Sequence, residues 1–176
     1  SKIEIFFSFL LATIPLNFIL GNLIININIV LIILVSLIIF NKLIIFQKFD
    51  ILDYLIFLFF FLVIFTSTYN NIYFIITDAP PKGYGSIIKS FLFLKYLFLY
   101  LSIKFLVKEG IINFKFFFIV CLICSVFVCF DIGYQFIFGV DIFGFEILND
   151  GRRLSGPFGD EMIAGGYLQR FSIFSF

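Results

Sequence analysis

The side chains best suited to chemistry stand in one polar, turn-rich segment between residues 131 and 161. Arg152 and Arg153 are adjacent there, and Asp160 and Glu161 follow them. An arginine guanidinium stays charged and binds phosphate oxygens through two parallel hydrogen bonds, so an arginine here is suited to holding a phosphate group. Neighbouring residues point in different directions in a helix or a strand, so one of the two is expected to face a ligand. In the alternative interpretation both are solvated loop charges.

Two further cations interrupt runs that are otherwise almost free of charge. Lys95 stands about ten residues into the run from Ile87 to Val107, or roughly 15 Å along a helix at the usual rise per residue. Arg170 follows Gly165 in the last apolar run. A cation at such a depth in a membrane is costly and marks a functional site by default. Snorkelling to the interface or a structural ion pair is the alternative for each.

The acids and glycines beside these arginines also have a structural interpretation. Asp160 and Glu161 precede an apolar run, where acids stabilise the positive end of a helix, so helix capping is the favoured interpretation. Orientation of Arg153 or binding of an acceptor is the alternative. Gly165 and Gly166 let membrane helices approach closely and can mark a packing face.

The three cysteines, Cys121, Cys124 and Cys129, fall inside one apolar stretch. The spacing of the first two would suit a metal or redox centre, but the chain has no second pair and no histidine. We interpret them as small hydrophobic residues in a helix, and we expect neither a metal nor another cofactor.

The composition places all of these residues in a membrane protein. Hydrophobic residues make up 62% of the 176 residues, charged residues make up 13%, and the mean hydropathy is +1.19. Soluble domains carry about 25% charged residues, and with less charge a soluble fold would expose large apolar patches. The net charge of +1 offers no basic surface to a polyanion, which excludes nucleic acid as a partner.

Five long apolar runs predict an all-α fold, a single membrane domain built as a polytopic transmembrane helical bundle, because a helix needs about 20 mostly apolar residues to cross a bilayer. The runs extend from Ile5 to Leu20, Leu23 to Phe40, Asp53 to Thr68, Ile87 to Val107 and Ile111 to Phe130. The first has no small-residue cleavage site and is interpreted as a retained helix. A sixth run begins after Met162 and is cut short, so we expect the amino-terminal part of a longer protein.

The cations between the runs predict the orientation of the chain. With a cytoplasmic amino terminus, the inside segments hold six lysines, namely Lys2, Lys42, Lys48, Lys104, Lys108 and Lys115. The outside segments then hold three cations, namely Lys82, Arg152 and Arg153. Because cytoplasmic loops carry the excess of lysine and arginine, we predict a cytoplasmic amino terminus and external loops at about residues 69–86 and 131–161.

The second external segment carries a resemblance to a known family. The strings DIGYQFIFGVDIFG and GRRLSGPFGDEMIAGGYLQRF resemble the O-antigen ligase and O-antigen polymerase family of bacterial envelope enzymes. In that family an external Arg-x-x-Gly-x-Phe motif leads into a transmembrane helix, and Arg153, Gly156 and Phe158 match it here. The resemblance is specific over residues 131–171, whereas the earlier spans match only in hydropathy and order.

The resemblance implies a glycosyltransferase of lipopolysaccharide biosynthesis at the outer face of the bacterial inner membrane. Such an enzyme transfers an undecaprenyl-pyrophosphate-linked saccharide to an acceptor glycan or to lipid A core, in contact with membrane lipid. It implies no nucleotide and no metal. Arg153 is the expected pyrophosphate ligand, and the further substrate-binding candidates are Lys95, Arg170 and Glu161. The family's main catalytic loop would lie beyond residue 176, so residues 1–176 alone are expected to be inactive.

Two other classes of protein stay open. One is a polytopic transporter or exporter in which Lys95 and Arg170 line the substrate path, although the sequence shows no convincing internal repeat. The other is a membrane scaffold without catalytic activity.

Overall fold

The computed structural model describes residues 2–45, 47–76, 85–146, 154–159 and 161–175. Within these ranges the regular elements are helices, and the β structure consists of an isolated bridge between Val140 and Glu146. The prediction of an all-α helical bundle is confirmed. The helices are α1 (Lys2–Ala12), α2 (Ile14–Leu20), α3 (Asn22–Ile45), α4 (Ile51–Ile76), α5 (Gly85–Phe93), α6 (Lys95–Lys108), α7 (Phe114–Phe138) and α8 (Ala164–Phe171), with short 3₁₀ helices at Gly156–Phe158 and Ser172–Ser175.

Several of these helices are long and apolar enough to cross a membrane. Four segments meet this requirement, namely Asn22–Phe40 in α3, Ile51–Ile72 in α4, Gly85–Lys108 over α5 and α6, and Phe114–Phe138, which is α7. The bent pair formed by α1 and α2 makes a fifth if it crosses as one span. The described part of the chain therefore has the helices of a membrane protein.

The first apolar run folds as two helices rather than as the single helix that its hydropathy predicts. α1 and α2 meet at Thr13 with a bend of 42°. Pro15 stands in the first turn of α2, where its missing N–H group is tolerated but the preceding helix cannot continue. The side-chain amide of Asn28 donates to the carbonyl oxygen of Leu10 at 3.2 Å and to Oγ1 of Thr13 at 2.8 Å, which stabilises the bend.

Two helices continue past their predicted ends. α4 continues beyond its predicted end at Thr68 as far as Ile76. α7 continues beyond its predicted end at Phe130 as far as Phe138. α7 ends at Gly139, whose φ of 78° is the left-handed conformation that commonly terminates a helix. The polar residues after Phe130 therefore begin inside a helix and not in a loop.

The chain divides into two compact units, of which the first comprises Ser1–Asn28 and Gly110–Phe176. Its core joins one face of α7 to α8 through the buried side chains of Cys121, Cys124, Val128, Ala164, Tyr167 and Phe171. Two of the three cysteines therefore serve as small hydrophobic residues, as expected, whereas Cys129 is exposed.

The second unit, Ile29–Glu109, is held together by aromatic contacts between its helices. The rings of Phe60 and Phe93 lie 5.2 Å apart between centroids, and the rings of Phe40 and Phe105 lie at the same distance. Such pairs add attraction beyond the apolar area that they bury. They join α4 to α5 and α3 to α6.

Candidate functional site

The candidate site of the first unit is built on the last turns of α7. Asp131 and Gln135 are four residues apart, so they share one helix face, and neither side chain is exposed. A buried polar group is costly unless it forms hydrogen bonds. One oxygen of each side chain accepts a hydrogen bond from a backbone amide outside α7, whereas Oδ2 of Asp131 has no partner among the described residues.

Asp131 holds the segment that follows the helix. Its Oδ1 accepts a hydrogen bond of 2.8 Å from the backbone N–H of Ile142. Asp141 in turn accepts a bond of 2.7 Å from the N–H of Phe145, and this local bond closes a turn. Residues 140–146 consequently form a compact loop against the end of α7.

Gln135 holds the glycine of the Arg-x-x-Gly-x-Phe motif. Its Oε1 accepts a hydrogen bond of 3.0 Å from the N–H of Gly156, and its Nε2 donates to Oγ of Ser155 at 3.3 Å. Gly156 has a φ of 57°, and a Cβ at this position would lie 3.0 Å from Cγ1 of Ile132. Both the conformation and the close approach to α7 require glycine.

The rest of the motif packs against α8. The ring of Phe158 lies 5.3 Å from the ring of Tyr167, and the Tyr167 hydroxyl donates to the carbonyl oxygen of Pro15 at 3.0 Å. A Cβ on Gly159 would lie 3.6 Å from the ring of Phe145, so the two loop segments meet here. Gly156 and Phe158 therefore position the motif segment.

A cleft of ≈ 500 Å³ opens beside this segment. Two of the predicted substrate-binding residues, Glu161 and Arg170, line it, and both are exposed. The remaining wall is mostly apolar and is formed by Phe18, Ile19, Leu20, Gly21, Asn22, Phe145, Pro157, Phe158, Gly159 and Ile163. Arg170 also borders a smaller cavity of ≈ 220 Å³ that shares Phe18 and Ile163 with the cleft. An apolar wall with a cation at its edge suits an amphiphilic anion.

The remaining candidates lie elsewhere. Arg152, Arg153 and Asp160 are outside the described residues. Lys95 belongs to the second unit, where it begins α6, is half-buried and places its Nζ 5.1 Å from the centre of the Tyr96 ring. That geometry is typical of a cation–π contact.

The sequence also suggested that an acid caps the helix after residue 161 and that Gly165 and Gly166 mark a packing face, and α8 allows both interpretations to be checked. The helix begins at Ala164, and its first turn holds no acid, so Glu161 does not cap it and that interpretation is wrong for this residue. Gly165 and Gly166 are exposed, and no atom lies within 4 Å of the position of a Cβ on either. Neither glycine marks a packing face in the described structure.

The second unit contains a charged cluster that was not predicted from the sequence. Asp53 is fully buried and accepts hydrogen bonds from Lys104 and, at 2.6 Å, from the hydroxyl of Tyr100. Lys104 also pairs with Asp50 at 3.0 Å. The sequence predicted Lys104 near the cytoplasmic end of the run from Ile87 to Val107 and gave it no partner; it lies in α6. Tyr100 and Lys104 are four residues apart and therefore share one helix face, and this spacing is the feature of the sequence that could have indicated the cluster.

The second unit has a groove of its own, which differs from the cleft of the first unit. It measures ≈ 580 Å³ and is lined by apolar side chains, those of Leu34, Leu37, Ile38, Ile44, Phe49, Phe98 and Leu101. None of the predicted site residues that the structure describes lines this groove, so the cleft beside the motif is the better candidate for specific binding.

No protein-family model, curated protein or solved structure matches this chain.

Proposed function

We propose that this chain is part of an integral membrane glycosyltransferase of the O-antigen polymerase or ligase type. Its reaction transfers a saccharide from undecaprenyl pyrophosphate to an acceptor glycan or to lipid A core. The proposal places the chain in the bacterial inner membrane with a cytoplasmic amino terminus. The cleft beside the motif would then face the external side.

The cleft is the observation that carries the proposal. It joins residues of the motif segment, Pro157, Phe158 and Gly159, to the cation Arg170 and the acid Glu161. The donor substrate has a long apolar chain and a pyrophosphate, and the cleft offers an apolar wall and a guanidinium to match them. Arg153 precedes Gly156 by three residues in the same motif and is the second proposed pyrophosphate ligand.

The chemistry of the transfer gives each charge a role. The leaving pyrophosphate gains negative charge as the bond between its oxygen and the anomeric carbon of the saccharide breaks, and Arg153 and Arg170 would stabilise that charge. Glu161 is proposed to bind the acceptor sugar through its hydroxyl groups. No residue is assigned as the base that takes the proton of the acceptor hydroxyl.

A transporter or exporter is the second candidate, and the bend between α1 and α2 is the observation that favours it. Discontinuous membrane helices often form the substrate sites of transporters. Asn17 and Asn28 are buried polar residues near this bend. In this interpretation Arg170, which belongs to the same unit as the bend, lines the path.

The test of the glycosyltransferase is made in cells whose surface glycan depends on the protein. Arg170→Ala and Arg153→Ala are each expected to abolish the glycan ladder on a gel while a blot shows normal amounts of protein. Arg170→Lys and Arg153→Lys should restore it poorly, because an ammonium group cannot form the paired bonds of a guanidinium.

Two neighbouring residues provide matched controls for these variants. Gln169→Ala changes an exposed residue of α8 beside Arg170, and Arg152→Ala changes the residue beside Arg153. Both controls should leave the ladder close to normal. A normal ladder from both Arg153→Ala and Arg170→Ala would reject the proposed donor site. A normal ladder together with lost export of a small solute would favour the transporter.

A further inference from the structure

α7 carries two buried polar side chains whose hydrogen bonds leave the helix. Asp131 and Gln135 are both completely shielded from solvent, and neither lines the cleft. A helix that only needed to pack would place apolar side chains at such positions, because these avoid the cost of burying a polar group. The two side chains are therefore explained by the backbone segments that they hold.

Each side chain holds a different wall of the cleft. Asp131 bonds to the N–H of Ile142, and the loop that follows supplies Phe145. Gln135 bonds to the N–H of Gly156, and the segment that follows supplies Pro157, Phe158 and Gly159. The Phe145 ring meets Gly159, where a Cβ would lie 3.6 Å from it.

We infer that Asp131 and Gln135 form a two-point clamp that sets the shape of the cleft for its ligand, an amphiphilic lipid pyrophosphate. The identity of that ligand rests on the proposed function, whereas the clamp rests on the two hydrogen bonds. Asp131 and Gln135 are positioning residues, since they act on the ligand through Phe145 and the Pro157–Gly159 segment. Loss of either bond releases one wall while α7 itself remains formed.

The two hydrogen bonds differ in which substitutions preserve them. In Gln135→Glu the carboxylate still accepts from the N–H of Gly156, and the hydroxyl of Ser155 can donate to its second oxygen. In Asp131→Asn the amide oxygen still accepts from the N–H of Ile142. Gln135→Leu and Asp131→Leu each introduce an apolar side chain that accepts no hydrogen bond. The first pair of variants should therefore keep the clamp, and the second pair should open it.

The clamp is tested by amide hydrogen exchange on the full chain in nanodiscs, resolved by residue. Gln135→Leu should speed exchange at Gly156 by about tenfold and leave Ile142 unchanged, since one hydrogen bond is lost at one site. Asp131→Leu should show the opposite pattern. Phe136→Leu changes an exposed neighbour on α7 and should alter neither amide. Unchanged exchange at Gly156 and Ile142 in the two leucine variants would overturn the clamp.

Binding of undecaprenyl pyrophosphate in the same nanodiscs tests the effect on the ligand. Each clamp-opening leucine variant should raise Kd by about tenfold, whereas Gln135→Glu, Asp131→Asn and Phe136→Leu should stay close to the unmodified protein. Altered exchange with unaltered Kd would overturn the role in ligand binding. If the unmodified protein does not bind undecaprenyl pyrophosphate, the proposed function falls, and the exchange measurement still decides the clamp.

Discussion

Replacement of Gly156 by alanine should destabilise the first unit for two separable reasons. Its φ of 57° is a left-handed conformation, which costs a residue with a Cβ about 1–2 kcal/mol. The new methyl group would also lie 3.0 Å from Cγ1 of Ile132, closer than a normal contact, and overpacking of this kind costs about 1–3 kcal/mol. Gly156→Ala should therefore lower the free energy of unfolding by about 2–5 kcal/mol.

A second glycine separates the two contributions. Gly139 has a φ of 78°, and no atom lies within 4 Å of the position of its Cβ. Gly139→Ala should therefore show only the conformational cost, about 1–2 kcal/mol. The difference between the two alanine variants measures the contact with Ile132.

The assay is SDS titration of the protein purified in detergent, followed by far-UV circular dichroism. A double-mutant cycle adds Ile132→Ala, which removes Cγ1 and should recover about 1–3 kcal/mol in the Gly156→Ala background. Equal losses from Gly156→Ala and Gly139→Ala, with no coupling to Ile132→Ala, would refute the close packing of the motif against α7.

Two further predictions concern the second unit and the orientation of the chain. Lys104→Met should lower the Tm measured in detergent because it leaves buried Asp53 without its cation, and the double variant Lys104→Met/Asp53→Leu should regain most of that loss. An equal Tm for Lys104→Met and for the exposed control Lys108→Met would contradict the buried pair. A topology reporter fused after Asp50 should be cytoplasmic and one fused after Asp150 external, following the lysine bias; the reverse pair of results would place the motif on the wrong face for the proposed reaction.

The apolar helices could be predicted from the sequence because the property that lets a helix cross a bilayer is a local one. About 20 consecutive apolar residues satisfy the bilayer wherever they stand in the chain. The prediction of helix ends and breaks was wrong in places, because single residues determine where a helix ends or bends. Pro15 divides the first run into α1 and α2, and α7 continues through polar Asp131 until Gly139 ends it.

The candidate site could be predicted only in part. The polar segment around residues 131–161 and the cation Arg170 stood out by residue type, and the structure brings Arg170 and Glu161 to one cleft. The end of α2, which forms another wall, comes from the opposite end of the sequence. No local pattern indicates such a long-range contact.

The sequence by itself determined that this chain forms apolar helices and where its few charges stand. Only the tertiary structure decided which polar side chains are buried, as with Asp131 and Gln135, and which are paired, as with Asp53 and Lys104. A helix that is apolar on every side has no polar face to show which residues point inward. The burial of its polar residues is therefore decided by the helices and loops that pack around them.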